Sequence, residues 1–153
     1  MNYEDVIRSI ENTEKEIGRE KGSVNVIAVS KMQPLDRIEK VLQSGHRLFG
    51  ENRVQEAITK WPSFFESFEK PSIHLLGPLQ SNKVKEAVKF FDGIHSVDRQ
   101  KIARKIADEV QIFGHCPKLM VQVNTGEEPQ KSGILPKDLD KFLKDCQKIF
   151  SLH

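Results

Sequence analysis

Apolar positions along the chain switch repeatedly between short, nearly continuous runs and stripes with a helical period. That alternation predicts strands joined by helices. The first stripe, Val6, Ile7, Ile10 and Ile17, falls on one face of a helix expected over residues 3–19, with Asn2 placed to cap it. The run VNVIAV, residues 24–29, predicts a strand. Pro34 then opens a helix striped by Leu35, Ile38, Val41 and Leu42, proline being suited to a first helical position, and Gly45 closes it. HRLFGE predicts a second strand and NRVQEAITKW a helix, while Pro62 and Pro71 bracket a polar-aromatic connection. IHLLG predicts a third strand, and Ser81 to Phe91 a helix with Val84, Ala87, Val88 and Phe91 turned inward. GIHSV predicts a fourth strand, followed by a helix carrying Ile102, Ile106 and Val110, with Asp98 as its cap and Gly114 at its end. KLMVQVN predicts a fifth, and the polar loop TGEEPQKSG leads from it to a last helix with Leu139, Phe142, Leu143, Cys146 and Ile149.

One leading helix followed by strand–helix units predicts a parallel sheet with right-handed crossovers. Short apolar runs such as IHLLG suit strands covered on both faces. Two architectures satisfy this order. One is a doubly wound sheet, complete as it stands. The other is part of a (β/α)8 barrel, a fold that typically takes about 250 residues. Periodicity does not separate them.

Composition narrows the class. The chain has 153 residues, enough for one domain with a buried core, and its 37% hydrophobic and 30% charged residues fit a globular protein. A net charge of +2, from 24 basic and 22 acidic residues, gives no footing for nucleic acid or a membrane surface. There is no apolar run of about 18 residues to predict a transmembrane helix. The start, MNYEDVIRSIENTEKEI, lacks the apolar core of a signal peptide. Cys116 and Cys146 form no CxxC pair and are expected to be free, buried thiols in a cytoplasmic protein.

In either architecture the chemistry gathers at the carboxyl ends of the strands. Those ends are Ser30–Lys31, Gly50–Glu51–Asn52, Gly77–Pro78–Leu79–Gln80, Ser96–Val97–Asp98 and Asn124–Thr125. Polar residues also stand there simply because loops begin, and for most of these positions that explanation suffices. Lys31 differs. A lysine directly after a buried strand points into the mouth of the sheet, where partial desolvation lowers its amine pKa from a reference of about 10.4. A neutral amine is a nucleophile that can form a Schiff base with an aldehyde or ketone. The competing reading is a lysine that snorkels to solvent. Asn52 suits the cap of the next helix, and Glu51 suits the mouth. Gly77 allows close backbone approach, and Ser81 or Asn82 can cap the helix that follows. His74 and His95 each lie in an apolar strand and read either as core histidines or as site groups. Gly-rich nucleotide fingerprints, HExxH and GxSxG are absent, and the histidines are not spaced as metal ligands.

The segments VIAVSKMQPLDRIEKVLQSGHRLFGENRVQEA, IHLLGPLQSNKVKEA, IHSVDR and VQVNTGEEPQKSGI, in this order and spacing, resemble the pyridoxal phosphate homeostasis proteins, also called the YggS or proline synthetase co-transcribed family. The resemblance runs from the first strand to the end of the chain. It implies a (β/α)8 barrel like the N-terminal domain of alanine racemase, here as five parallel βα units after an N-terminal helix, with residues 1–153 as a single domain. It also implies pyridoxal 5′-phosphate carried as an internal aldimine on the lysine of AVSK, which is Lys31. Lys31, Asn52 and His74 form the candidate cofactor-binding set, with no catalytic and no metal-binding residue.

Family members lack the second domain that supplies the opposing acid–base residue in alanine racemase. The resemblance therefore implies a role in vitamin B6 homeostasis without robust catalysis. The only tyrosine, Tyr3, opens the leading helix and is not placed as a second base. Two departures stand out. Ile73 replaces an aromatic residue, and the family's last three strands, with their cofactor-phosphate loops, have no counterpart after IFSLH, where a sixth strand would begin. A truncated barrel is expected. Three alternatives remain open: a racemase-like enzyme using the same cofactor, a fragment too incomplete to hold it, and an unrelated doubly wound binding domain. The expected partner is the small-molecule cofactor, with no nucleic acid and no membrane. A full-length protein is expected to be a monomer, and a truncated one can associate through its open edges.

Overall fold

Five parallel strands lie side by side in the order in which the chain makes them, β1-β2-β3-β4-β5. The structure is a computed structural model and describes residues 2–151. The elements are α1 (Tyr3–Glu16), β1 (Ala28–Val29), α2 (Leu35–Gln43), β2 (Leu48–Glu51), α3 (Val54–Lys60), α4 (Pro62–Phe65), β3 (Ser72–Leu75), α5 (Val84–Phe90), β4 (Gly93–Val97), α6 (Gln100–Phe113), β5 (Lys118–Val121) and α7 (Leu139–Ser151). A doubly wound sheet reverses its order at a switch point. The unbroken order excludes that alternative and matches part of a (β/α)8 barrel. Leu152 and His153, at the place where a sixth strand was expected, lie outside the described residues.

The register sorts the strand residues into two faces. Val29 pairs with Gly50, Gly50 with His74, His74 with Gly93 and Gly93 with Lys118, so one row crosses all five strands. Side chains alternate along a strand, so Phe49, Ile73, Leu75 and Ile94 point to the opposite face. Those four are buried in a core shared with Ile38 and Leu42 of α2, Ala57 of α3, Val88 of α5, Ile106 of α6 and Phe142 of α7. The helices thus cover one face. The other is open at both edges, where Val29 is 48% exposed and Lys118 and Met120 are exposed as well. Cover on both faces holds only toward the middle of the sheet.

Several local expectations change for identifiable reasons. Of the run Val24–Val29, only Ala28 and Val29 pair as strand. The start of that run is held instead by α1, because the Glu14 carboxylate accepts from Gly22 N–H and Val24 N–H, both at 2.8 Å, and from Ser23 Oγ at 3.2 Å. Asn2 caps α1 as expected, in a reciprocal capping box with Asp5. Asn52 and Asp98 do not cap. The residues before α3 and α6 are Arg53 and Arg99, and neither makes a side-chain capping bond. The connection after Pro62 contains the short helix α4, with proline in its first turn. Cys116 and Cys146 are both free, but Cys116 is exposed rather than buried.

Candidate functional site

The ladder between β1 and β2 continues one step beyond β1, where Ser30 N–H donates to the Gly50 carbonyl at 2.9 Å. Lys31 follows in a turn, with its side chain exposed. The partial desolvation expected of it is not present. Met32, next along, has a φ of +54°, a left-handed conformation uncommon for a residue with a side chain.

Both neighbours of Lys31 are tied down. Ser30 Oγ donates to Glu51 Oε1 at 2.7 Å, and Lys60 Nζ donates to the Ser30 carbonyl at 2.8 Å. Met32 N–H donates to Glu56 Oε1 at 2.7 Å. The supporting side chains form one network. Glu51 Oε1 also accepts from Trp61 Nε1 at 2.9 Å and forms an ion pair with Lys60 Nζ at 2.8 Å, and Lys60 Nζ donates to Glu56 Oε1 at 3.0 Å. Burial opposes ionisation of Glu56, but Met32 N–H and Lys60 hold its carboxyl below the ordinary value. Glu51 is fully buried. It lies two residues from core-facing Phe49 and so shares its face, which corrects the expectation that it lines the mouth.

Asn52 follows β2 as Lys31 follows β1. The paired register ends with Val29 opposite Gly50, and Lys31 and Asn52 each lie two residues beyond that pair, just past adjacent strand ends. Asn52 is half-buried, and its carbonyl oxygen would lie 2.1 Å from a Cβ at Gly77, so the close approach there requires glycine.

His74 lies a row deeper, flanked in register by Gly50 and Gly93, and its Nδ1 is 2.8 Å from His95 Nε2. Burial first, then the neighbouring His95, push the His74 pKa down, and burial pushes His95 down. One proton suffices for the bond between the two rings, so the neutral pair is self-consistent. The sequence left His74 open as core or site. It is on the face away from the helix core, and 6% exposed.

The other strand ends serve their loops. Asp98 pairs with Arg99, whose Nη2 donates to the Leu79 carbonyl at 2.7 Å. Asn124 Nδ2 donates to the Glu128 carbonyl at 2.8 Å and closes the TGEEPQKSG loop. Lys60, Glu56 and Trp61 were not singled out from sequence. The signal available was the spacing of Phe49 and Glu51: a carboxylate sharing a face with a core phenylalanine needs a buried cation nearby.

Residues 7–152 match the family described as alanine racemase, N-terminal domain. The pyridoxal phosphate homeostasis protein of Vibrio cholerae is 39% identical over 141 residues, which cover 91% of this chain and 60% of that protein. The protein of the same name from Pseudomonas aeruginosa is 35% identical over 153 residues, covering 99% of this chain and 65% of that one. Among solved structures, PipY of Synechococcus elongatus with pyridoxal phosphate bound is similar with a TM-score of 0.76 at 39% identity, over 91% of this chain and 64% of that one. Alanine racemase of Clostridium difficile gives a TM-score of 0.68 at 15% identity, over 97% of this chain and 38% of that one, a likeness of fold alone. The chain spans about 60% of the length of the curated relatives that it matches.

Proposed function

The chain belongs to the alanine racemase N-terminal domain family, and from that premise we propose that it binds pyridoxal 5′-phosphate through Lys31 and serves cofactor homeostasis rather than turnover. The observation that carries this reading is an exposed primary amine just past a strand end, with its two neighbours fixed. Lys31 would supply an amine for the cofactor's aldehyde, and His74, on the face away from the helix core, and Asn52, just past its strand end, would offer polar groups to its substituents. The cofactor would supply an electrophilic aldehyde, and Lys31 would be the residue to hold it through its amine.

The chain's own part is to present that amine and hold the polar groups around it. Tyr3, the only tyrosine, lies on α1 with its hydroxyl 2.8 Å from His46 Nδ1. Residues 1–153 would form one domain of a cytoplasmic protein, in keeping with its two free cysteines. Among the described residues, no helix is long and apolar enough to cross a membrane.

The test is retention. The chain is mixed with pyridoxal phosphate, passed through a desalting column, and its visible absorbance read. Wild type is expected to keep the cofactor and Lys31→Arg to lose it, because a guanidinium does not make the linkage. A wild-type chain that emerges colourless overturns the proposal. A companion assay follows deuterium uptake at Cα of amino acids. Uptake at the rate given by free cofactor is expected, and a protein-driven rate that depends on Lys31 supports the racemase-like alternative.

A further inference from the structure

We propose that Glu51, Glu56 and Lys60 are positioning residues that fix the Ser30–Met32 backbone, so that Lys31, and not the neighbouring Lys60, presents the reactive amine. The inference rests on the cofactor reading of Lys31 above. Three side chains from β2 and α3 converge on the two residues flanking Lys31: Glu51 on the Ser30 hydroxyl, Lys60 on the Ser30 carbonyl and Glu56 on the Met32 amide. A buried ion pair serving only stability has no need to aim at those groups, since well-packed apolar residues do as well. The left-handed backbone at Met32 also has to be held by its surroundings. The Lys31 stem is exposed and long, so the scaffold controls its amine mainly through the backbone that carries it.

The same network disposes of the competing amine. Lys60 Nζ donates to Ser30 O at 2.8 Å and Glu56 Oε1 at 3.0 Å, and its charge is paired with Glu51 at 2.8 Å. Its ammonium is held by two hydrogen bonds and a buried ion pair, and its side chain is only 8% exposed. Lys60 therefore acts through hydrogen bonds, and Lys31 is left as the free nucleophile of the pair.

The test is a time course of adduct formation at Lys31, trapped by borohydride and read by peptide mass. It is run with pyridoxal phosphate and with unphosphorylated pyridoxal on wild type, Glu56→Ala and Glu56→Gln. The displaced backbone of Glu56→Ala should slow labelling of Lys31 about tenfold or more with both aldehydes, since small misplacements of reacting groups cost up to about 10²-fold. Glu56→Gln keeps an oxygen for Met32 N–H and should stay within about threefold of wild type. In Glu56→Ala a second adduct should appear on Lys60, and Met32→Gly in that background should recover part of the rate, because glycine adopts positive φ without support. Hydrogen exchange of the Met32 amide in wild type gives a readout independent of how the variants fold, and protection is expected. Equal rates in all three proteins, a Gln variant as slow as the Ala variant, or an unprotected Met32 amide overturns the clamp and leaves the cofactor reading intact. A wild-type adduct that maps away from Lys31 overturns both.

Discussion

Glu51 Oε1 and Lys60 Nζ meet 2.8 Å apart, with 0% and 8% of their side chains exposed. Neither charge has much access to water, so each depends on the other. Replacing Lys60 by methionine keeps the stem and leaves the Glu51 carboxylate buried without its cation. Breaking one side of a buried pair typically costs about 3–5 kcal/mol. Urea unfolding should show a loss of that size for Lys60→Met, and the double variant Glu51→Leu with Lys60→Met should recover most of it. A single variant as stable as wild type contradicts the buried pair.

Two glycines near the strand ends should respond differently to alanine. A Cβ at Gly77 would lie 2.1 Å from the Asn52 carbonyl oxygen, which is backbone and cannot swing aside. Gly77→Ala should cost about 1–3 kcal/mol and move Asn52. A Cβ at Gly93 would lie 2.7 Å from His74 Nδ1, a side chain that can rotate. Gly93→Ala should cost less stability but break the contact between His74 and His95. Thermal unfolding and the histidine NMR signals check the pair, and the reverse ranking of stability contradicts this geometry.

The histidine pair sets a pH window. Burial holds both folded-state pKa values below the ordinary histidine value, with His95 adding to the effect at His74. The folded state thus favours the neutral rings. Their contribution is fully present above the unfolded value of about 6.5 and is lost as pH falls through the folded values. Tm should fall on acidification below about pH 6.5, and His95→Gln should flatten that part of the profile. A wild-type Tm indifferent to pH over this range contradicts the pair as described.

Glu14 sets a second window further into acid. Its carboxylate accepts Gly22 N–H and Val24 N–H, which hold its pKa below the ordinary value. A depressed folded value means stability that is present above the unfolded value and lost as pH falls through the folded one. Glu14→Gln should lower Tm at neutral pH and narrow its difference from wild type in acid. An unchanged Tm at neutral pH contradicts the role of Glu14 in holding residues 22–24.

Much of this was legible along the chain, and the exceptions share a cause. Repeating stripes and runs placed the five strands and the helices between them, because burial of one helix face or one strand leaves a local period. The order of the strands was not written in that period, and came from the resemblance. The site strand was drawn too long because VNVIAV has a strand's composition, yet Glu14, earlier in the chain, takes the amide of Val24. Glu51 looked like a mouth residue because it is charged. Its burial depends on Lys60 and Trp61, nine and ten residues on and brought back by α3, which no local pattern reveals. Asn52 and Asp98 looked like caps, but each helix begins a residue later than such a cap requires. The position of Lys31 after β1 was legible. The clamp on either side of it was not, since all three of its contacts cross between elements.

The most direct test of the account is where the cofactor attaches. The chain is incubated with pyridoxal phosphate at limiting concentration, reduced with borohydride, digested and mapped by mass spectrometry. The added mass is expected on the peptide carrying Lys31 before Lys60, Lys83 or Lys131, and is expected to disappear in Lys31→Arg. An adduct spread over the helix lysines, or concentrated on Lys83 or Lys131 with Lys31 unmodified, contradicts it.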